Sequence, residues 1–215
     1  METSFKFFTE TGVIIATNII ADSLLSFLNG LKKVSGSSIF FHLHHSLLRR
    51  HFTTSDFMND FARWVWLNLG QPSLAEKLAS VDPLYFRSIR EARQKMIDIV
   101  QGYVGEGEFV YRVPKGKEFN FLELKSFVIP TGFEANDLKS FLKGLKNSSR
   151  GTYFYHLIEA PIRIQKPQND FSEWLSSSLG ETELAKEISG INPYTYNLWE
   201  IKKLIIDCVK RRLAK

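Results

Sequence analysis

The sequence is poor in the residues and runs that define several common classes of protein. It holds one cysteine in 215 residues, so no disulfide can form within the chain. Cys208 lies in an apolar helical run, which predicts a buried thiol in a reducing cytoplasm. The N-terminal segment lacks the basic and apolar regions of a signal peptide, and no apolar run is long enough to span a bilayer. We therefore predict a cytoplasmic protein without a membrane partner.

The motifs of catalysis and cofactor binding are also missing. No serine or cysteine stands in a nucleophile elbow, no Gly-rich loop is suited to cradle a phosphate, and no H-E-x-x-H zinc motif occurs. These absences favour a protein that is not an enzyme, and they predict no cofactor and no resident metal. The net charge is +5, but the basic residues are interleaved with 23 acidic ones and no recognised nucleic-acid motif accompanies them. No nucleic-acid partner is expected.

What the sequence does contain is an internal repeat. FLNGLK recurs as FLKGLK, FFHLHH as FYHLIE, NDFARW as NDFSEW and LGQPSLAEKLASVDP as LGETELAKEISGINP, always in the same order. The histidines of the second pair are 156 − 42 = 114 positions apart. This match over most of each half predicts a tandem duplication with a first lobe at residues 1–104 and a second lobe at 105–215.

The predicted fold class is mainly α, of the α+β type. Two tandem pseudo-symmetric helical repeats are expected, each opened by a short β-strand pair or hairpin. The first hairpin is expected to turn at Thr11-Gly12 and the second at Pro114 to Gly116, where turn-forming residues interrupt the strand patterns. The predicted strands cover residues 4–9, 13–16, 108–112 and 118–129.

The histidine helix has two different faces. At about 100° per residue, His44 falls near the centre of an apolar arc, and the second copy has Ile158 there. His44 is therefore predicted to be a core histidine with a satisfied ring nitrogen. The opposite face carries a polar stripe in both copies, made of His42, His45 and Arg49 in the first and of His156, Glu159 and Arg163 in the second.

Two interpretations of these stripes are open. As a site, the imidazole and guanidinium groups would recognise an anionic small molecule or a protein partner. As a packing device, His42 and His156 would donate to the Asn-Asp corners and hold helix to helix, with Arg49 and Arg163 pairing with the same aspartates. Pro161 complicates the second stripe, because proline can kink or end a helix. The corners, which complete the candidate binding residues, are Asn59-Asp60 and Asn169-Asp170.

The alternative function is a metal-dependent hydrolase or transferase. Zinc or a similar ion could be bound by a set of suitable side chains, His42, His45, His51 and Asp60. Two histidines at positions i and i+3 of a helix can bind the same metal ion. The second copy offers fewer such groups, and the usual zinc motifs are missing. A binding module is therefore the preferred interpretation.

One asymmetry between the copies concerns association. Trp66 and Leu67 stand where the second copy has Ser176 and Ser177, so one helix face is apolar in the first copy and polar in the second. This face is predicted to contact the other lobe or to form a homo-oligomer, and a wider local core is the open alternative.

These motifs also carry a family resemblance. YFYHLIEA, NDFSEW, LGETELAKEISGINPYTY and the FLKGL helix resemble an uncharacterised family of bacterial and archaeal proteins, classed only as a domain of unknown function. The second copy matches closely and the first copy more loosely. The resemblance implies no activity, cofactor or catalytic residue, and an association of some such proteins with carbohydrate-metabolism enzymes is its only functional hint.

Overall fold

The computed structural model describes residues 4–49, 59–81, 86, 88–105, 112–164, 168–193 and 195–215. These ranges contain two strands, β1 (Phe5–Ala21) and β2 (Phe119–Ala135). The helices before β2 are α1 (Leu24–Lys33), α2 (Gly36–Arg49), α3 (Asp60–Trp64), α4 (Pro72–Ala79) and α5 (Ile89–Gly105). The helices after β2 are α6 (Leu138–Asn147), α7 (Arg150–Tyr153), α8 (Ala160–Ile164), α9 (Asp170–Leu179), α10 (Thr182–Ser189) and α11 (Leu198–Leu213). Two π-helical turns, Val65–Leu69 and Phe154–Glu159, continue α3 and join α7 to α8.

The two strands pair with each other in one two-stranded sheet. Ser4 donates to Glu134, Thr131 donates to the carbonyl of Phe7, and Thr17 donates to the carbonyl of Phe121. The partner numbers fall as the residue numbers rise along β1, so the strands are antiparallel. The predicted hairpin at the start of each repeat is therefore wrong. The fold of the described residues is a mixed α+β fold with one long ribbon, and it does not show two tandem repeats.

Gly12 explains why the first predicted turn is absent. Its φ is not positive, and a Cβ at this position would lie 2.8 Å from the carbonyl oxygen of Lys125 and 2.8 Å from the Leu124 side chain. The glycine thus lets β2 approach β1 closely within continuous strand, instead of reversing the chain. The second predicted turn is present, with Gly116 at φ 86 and the N–H of Lys117 donating to Pro114. The predicted strand at 108–112 lies almost entirely outside the described residues.

The chain forms two compact units whose boundaries fall inside both strands. We call Gly12–Lys125 the N-unit, and Met1–Thr11 with Ser126–Lys215 the C-unit. Each unit therefore combines its helices with part of β1 and part of β2. The lobes predicted at 1–104 and 105–215 describe a sequence relation, and the duplication stays a prediction.

The core of the N-unit joins β2 to two helices through aromatic rings. Side chains alternate along a strand, so Phe119 and Phe121 share one face of β2. The Phe119 ring lies 5.5 Å from Phe27 of α1 and 5.4 Å from Phe61 of α3, between ring centroids. All four rings are buried, and such aromatic pairs add to the free energy gained from apolar burial.

The core of the C-unit has the same composition. Phe5 and Phe7 of β1 are buried on one face. The Phe5 ring lies 5.6 Å from Phe141 of α6 and 5.3 Å from Phe171 of α9. In both units, therefore, alternate phenylalanines of a strand fill the space between the first helix of the unit and the helix that starts at the Asn-Asp corner.

Local signals place the helix ends where the sequence predicts them. Asn59 and Asn169 are N-caps, since their side chains accept from the backbone N–H groups of Ala62 and Ser172. Asn197 and Glu200 form a capping box at the start of α11, as the N-x-x-E spacing of NLWE favours. Gly70 and Gly180 take the left-handed conformation after α3 with its π-helical turn and after α9. The caps leave Asp60 and Asp170 as first residues of their helices.

Two further expectations can be compared with the structure. Cys208 is buried and unpaired, as predicted, and burial raises the pKa of its thiol to about 11. Among the described residues, no helix combines the length and the apolarity that a bilayer crossing requires.

Candidate functional site

In the C-unit, His156 connects a helix start to a strand. Its Nδ1–H donates to Asp170 Oδ2 at 2.7 Å, and its Nε2 accepts from the backbone N–H of Phe8 at 3.0 Å. A backbone N–H can only donate, so Nε2 carries no proton and the imidazole is neutral. Burial lowers the pKa of His156, and the hydrogen bond to Asp170 opposes that shift. Both ring nitrogens are therefore occupied by the protein itself.

In the N-unit, His42 makes the same two hydrogen bonds. Its Nδ1–H donates to Asp60 Oδ2 at 3.0 Å, and its Nε2 accepts from the backbone N–H of Leu122 at 2.9 Å. The ring is buried, 3% exposed. The contact between histidine and aspartate is the one that the packing interpretation predicts. The contact with the strand was not predicted, and it satisfies an N–H that β1 does not satisfy.

The two asparagines of the corners serve as caps. Asn59 accepts from the N–H of Ala62 through its carbonyl oxygen and donates through its amide nitrogen to the carbonyl of Leu78. Asn169 is buried and accepts from Ser172. These contacts place the side-chain oxygens of both asparagines inside the fold, and the binding role predicted for Asn59 and Asn169 stays a prediction.

Arg163 is the most exposed stripe residue of the C-unit. Its Nη2 lies 2.5 Å from Asp170 Oδ2, and its guanidinium lies 4.1 Å from the centroid of the Tyr155 ring. The side chain is 37% exposed. Pro161 does not end the helix before it, because α8 runs through this proline to Ile164. Oδ2 of Asp170 therefore accepts hydrogen bonds from both His156 and Arg163.

Part of the predicted stripe of the N-unit lies outside the described residues. The structure does not describe the side chains of His45 and Arg49, and it does not describe His51. The binding role predicted for them stays a prediction. Of the first stripe, only His42 can be located, together with its partner Asp60.

A cavity of about 530 Å³ opens beside the stripe of the C-unit. Its wall combines the strand β1 with the beginning of the π-helical turn, with α8 and with α9. Phe8, Tyr155 and Trp174 contribute aromatic surface. Lys6 and Arg163 contribute positive charge, and Asp170 and Glu173 contribute negative charge. The volume is in the range of small-molecule sites in proteins. The cavity is thus the place where the candidate residues of this unit face solvent together.

The stripe residue Glu159 lies near a second glutamate, Glu10, which the sequence analysis did not identify. Glu10 of β1 is buried, and neither of its carboxylate oxygens has a hydrogen-bond partner of normal geometry. Burial raises the pKa of Glu10. The nearby side chains of Glu159 and Ser126 have a smaller effect and lower it. Burial raises the pKa of Glu159 as well, and the carboxylate of Glu10 adds to that rise. Glu159 was predicted as a stripe residue, whereas Glu10 was not predicted.

His44 is a core residue, as the helical angle predicts. It is fully buried, its Nδ1–H donates to the carbonyl of Phe40 at 3.0 Å, and its ring stacks on the Phe40 ring. Among the residues that the structure describes, its Nε2 has no hydrogen-bond partner, so they satisfy one of the two ring nitrogens. Burial lowers the pKa of His44 to about 4.

The metal-dependent alternative has no support in the structure. Across the described ranges, no three side chains of His, Cys, Asp or Glu are grouped so that they could hold a metal ion. His42, the first of its four proposed ligands, uses both ring nitrogens for Asp60 and Leu122.

The apolar face of the first copy is exposed. Trp66 is 43% exposed and Leu67 is 62% exposed. Their counterparts Ser176 and Ser177 are exposed as well, so the face does not belong to a wider local core. A homo-oligomer through this face stays a prediction.

The residues that the sequence analysis missed come from other elements of the chain. Lys6 and Phe8 belong to β1, and they reach the cavity because β1 packs against the helices of the C-unit. The signal for Glu10 was an acidic residue within the apolar strand pattern of SFKFFTE. Tyr155 carried no separate signal, because aromatic residues are frequent throughout the chain.

Comparisons with known proteins identify the family of the chain and a solved structure with a similar fold. The family model described as "Family of unknown function (DUF5752)" matches residues 2–210, so the chain belongs to this family. Among solved structures, the chain is similar to "The structure of OrfY from Thermoproteus tenax", with 25% sequence identity and a TM-score of 0.81. That match covers 100% of this chain and 97% of the other. A search of curated proteins finds no match. The resemblance to a family of unknown function is confirmed.

Proposed function

We propose that this member of the family is a non-enzymatic binding module whose cavity beside Arg163 takes a small molecule with an anionic group. The observation that carries the proposal is the position of this guanidinium, which stacks on Tyr155 and is partly exposed at a cavity of about 530 Å³. A guanidinium has five N–H donors, and the bond to Asp170 uses only part of this capacity.

Other groups in the wall support an anionic ligand. Lys6 adds a second positive charge to the same cavity. The indole N–H of Trp174 is buried at the wall and has no hydrogen-bond partner within the described residues. Asp170 is the acidic residue nearest to Arg163, and it already accepts from Arg163 and from His156. The guanidinium N–H groups that Asp170 does not use are suited to a phosphate or carboxylate group, and the aromatic side chains are suited to an apolar part of the ligand.

The geometry favours binding over catalysis. A general base needs a nitrogen that is free to take a proton, and His156 uses Nε2 for the N–H of Phe8. Breaking this bond would leave a strand N–H without a partner, which is costly in a buried place. The proposal includes a cytoplasmic location, which the buried free thiol of Cys208 supports.

The test is a binding assay with a matched pair of arginine variants. Thermal melting and calorimetric titration would be run with orthophosphate, sugar phosphates and nucleoside monophosphates, with sodium chloride at equal ionic strength as the salt control. We expect at least one phosphate compound to raise the melting temperature of the wild type. Arg163→Gln should weaken its affinity by about tenfold or more, because a charge-assisted hydrogen bond contributes roughly 1.5–3 kcal/mol.

The control is Arg63→Gln, which removes an equally charged but exposed side chain of α3 in the N-unit. It should leave the affinity unchanged. The proposal fails if no compound shifts the melting temperature beyond the salt control, or if Arg163→Gln binds as tightly as Arg63→Gln.

A further inference from the structure

The carboxyl group of Glu10 is buried at the end of the C-unit part of β1. Its side chain is 8% exposed, and within the described part of the chain neither oxygen has a hydrogen-bond partner. α7 also packs closely on the strand at this point, since a Cβ on Gly151 would collide with the backbone carbonyl of Glu10. A carboxylate buried in this way costs several kcal/mol unless a proton or a cation neutralises it.

The side chains that act on Glu10 are themselves oxygen ligands. They are the carboxyl group of Glu159, at the end of the π-helical turn, and the hydroxyl of Ser126 at the middle of β2. The positive charge that acts on Glu159 is Arg163, and this guanidinium is bonded to Asp170. Two acids thus face each other without a bound counter-charge of their own.

We propose that Glu10 and Glu159, with Ser126, form a binding site for one hard divalent cation of the Mg²⁺ class. Such cations prefer oxygen ligands, and Mg²⁺ in particular is held by one or two carboxylates while it keeps several water molecules. Zinc and copper are not expected, because no nitrogen or sulfur ligand belongs to the set. Glu159 is only partly buried, so the ion and its water can enter from the side of this residue.

The N-unit provides an internal comparison for this site. Glu10 is two residues after Phe8, whose N–H binds His156, and Leu124 is two residues after Leu122, whose N–H binds His42. The N-unit therefore has leucine where the C-unit has the buried carboxylate. The expected stoichiometry is one cation per chain.

The experiment measures binding of Mn²⁺ to the full chain after removal of metal with chelator. Mn²⁺ replaces Mg²⁺ in oxygen sites and can be followed by electron paramagnetic resonance, with Mg²⁺ and Ca²⁺ as competitors. We expect one Mn²⁺ per chain, displacement by Mg²⁺, and a higher melting temperature with the ion bound. Glu10→Gln and Glu159→Gln should each weaken Mn²⁺ binding about tenfold or more, and Glu183→Gln, at a side chain 87% exposed on α10, should leave it unchanged.

The outcomes distinguish a bound cation from a proton shared by Glu10 and Glu159. If the wild type binds no Mn²⁺, Mg²⁺ or Ca²⁺ in stoichiometric amount, the inference is overturned, and a metal-free gain in stability of Glu159→Gln would then assign the pair a proton. Retention of wild-type affinity in both glutamine variants would overturn it equally. Should Glu10→Gln fail to fold, Glu159→Gln at the less buried position decides, with circular dichroism as the check that it is folded.

Discussion

The N-unit and the C-unit hold their histidines with the same hydrogen bonds but place different residues around them. His42 and His156 each join an aspartate at a helix start to the N–H of a strand residue. The residues nearby are not repeated: the C-unit has Glu10 where the N-unit has Leu124. The contacts that both units share stabilise the fold. The residues that differ between the units are therefore the candidates for function.

The helices that carry these histidines also differ between the units. In the C-unit the helix widens into the π-helical turn Phe154–Glu159, whereas α2 of the N-unit passes through His42 as a regular helix. Pro161 lacks an N–H, so the turn before it cannot close with an ordinary helical hydrogen bond to that residue. π-helical turns are frequent at functional sites because they displace side chains from the regular helical pattern. This turn ends at Glu159, beside the candidate sites of the C-unit.

The largest expected effect tests whether the two histidines have the same structural role. His42→Ala and His156→Ala should each lower the free energy of unfolding by about 3–5 kcal/mol, because each change leaves a backbone N–H without a partner and creates a cavity. Urea unfolding measures both variants. Glu183→Ala, at an exposed side chain, should stay within about 0.5 kcal/mol of the wild type. A small loss for one histidine and a large loss for the other would show that the sites are not equivalent.

A second prediction uses pH and the residue difference between His44 and Ile158. Burial lowers the pKa of His44 from 6.5 to about 4. The unfolded chain therefore binds a proton that the folded chain does not, so stability is complete above pH 6.5 and falls as the pH drops towards 4. The loss from this residue is about 3 kcal/mol. In urea unfolding between pH 7 and pH 4, His44→Ile should lose that much less stability than the wild type.

The matched variant for this experiment is Leu43→Ile, which changes a buried neighbour without removing a titrating group. It should keep the pH dependence of the wild type, whatever its stability at pH 7. Equal pH dependence in the wild type and His44→Ile would contradict the prediction.

The smallest expected effect compares two tryptophans at corresponding places. The indole N–H of Trp64 donates to the carbonyl of Lys117 at 2.8 Å, while that of Trp174 has no hydrogen-bond partner within the described residues. Trp64→Phe should therefore cost about 1 kcal/mol more than Trp174→Phe, because only the first change breaks a hydrogen bond. Thermal and urea unfolding of both variants give this difference. A larger cost for Trp174→Phe would mean that its N–H has a partner in solution.

Features that depend on neighbours within one or two turns could be predicted from the sequence. The capping box of Asn197 and Glu200, the left-handed Gly70 and the burial of His44 are of this kind. Each depends on a local rule, either the orphan N–H groups of a helix start, the freedom of glycine, or the angle between helical positions. The same rules misplaced a turn at Gly12, because they could not include the carbonyl of Lys125 that approaches it.

The contacts that make the sites depend on residues far apart in the chain. Phe8 and His156 are 148 positions apart, and Leu122 and His42 are 80 positions apart. Helical periodicity shows which residues share a face, but it does not show what that face meets. For this reason the aspartate partners of the histidines were foreseen as one of two alternatives, and the strand partners were not.

By itself the sequence determined the helices, their caps, the family and the two polar stripes, since these follow from local propensity and from recurring motifs. Only the tertiary structure decided that both ring nitrogens of His42 and of His156 are used in packing and that Glu10 lies buried near Glu159. The physical reason lies in the backbone N–H groups of the paired strands β1 and β2. Each strand leaves an N–H that its partner strand does not satisfy, and burying that group requires an acceptor, which a histidine from a distant helix provides.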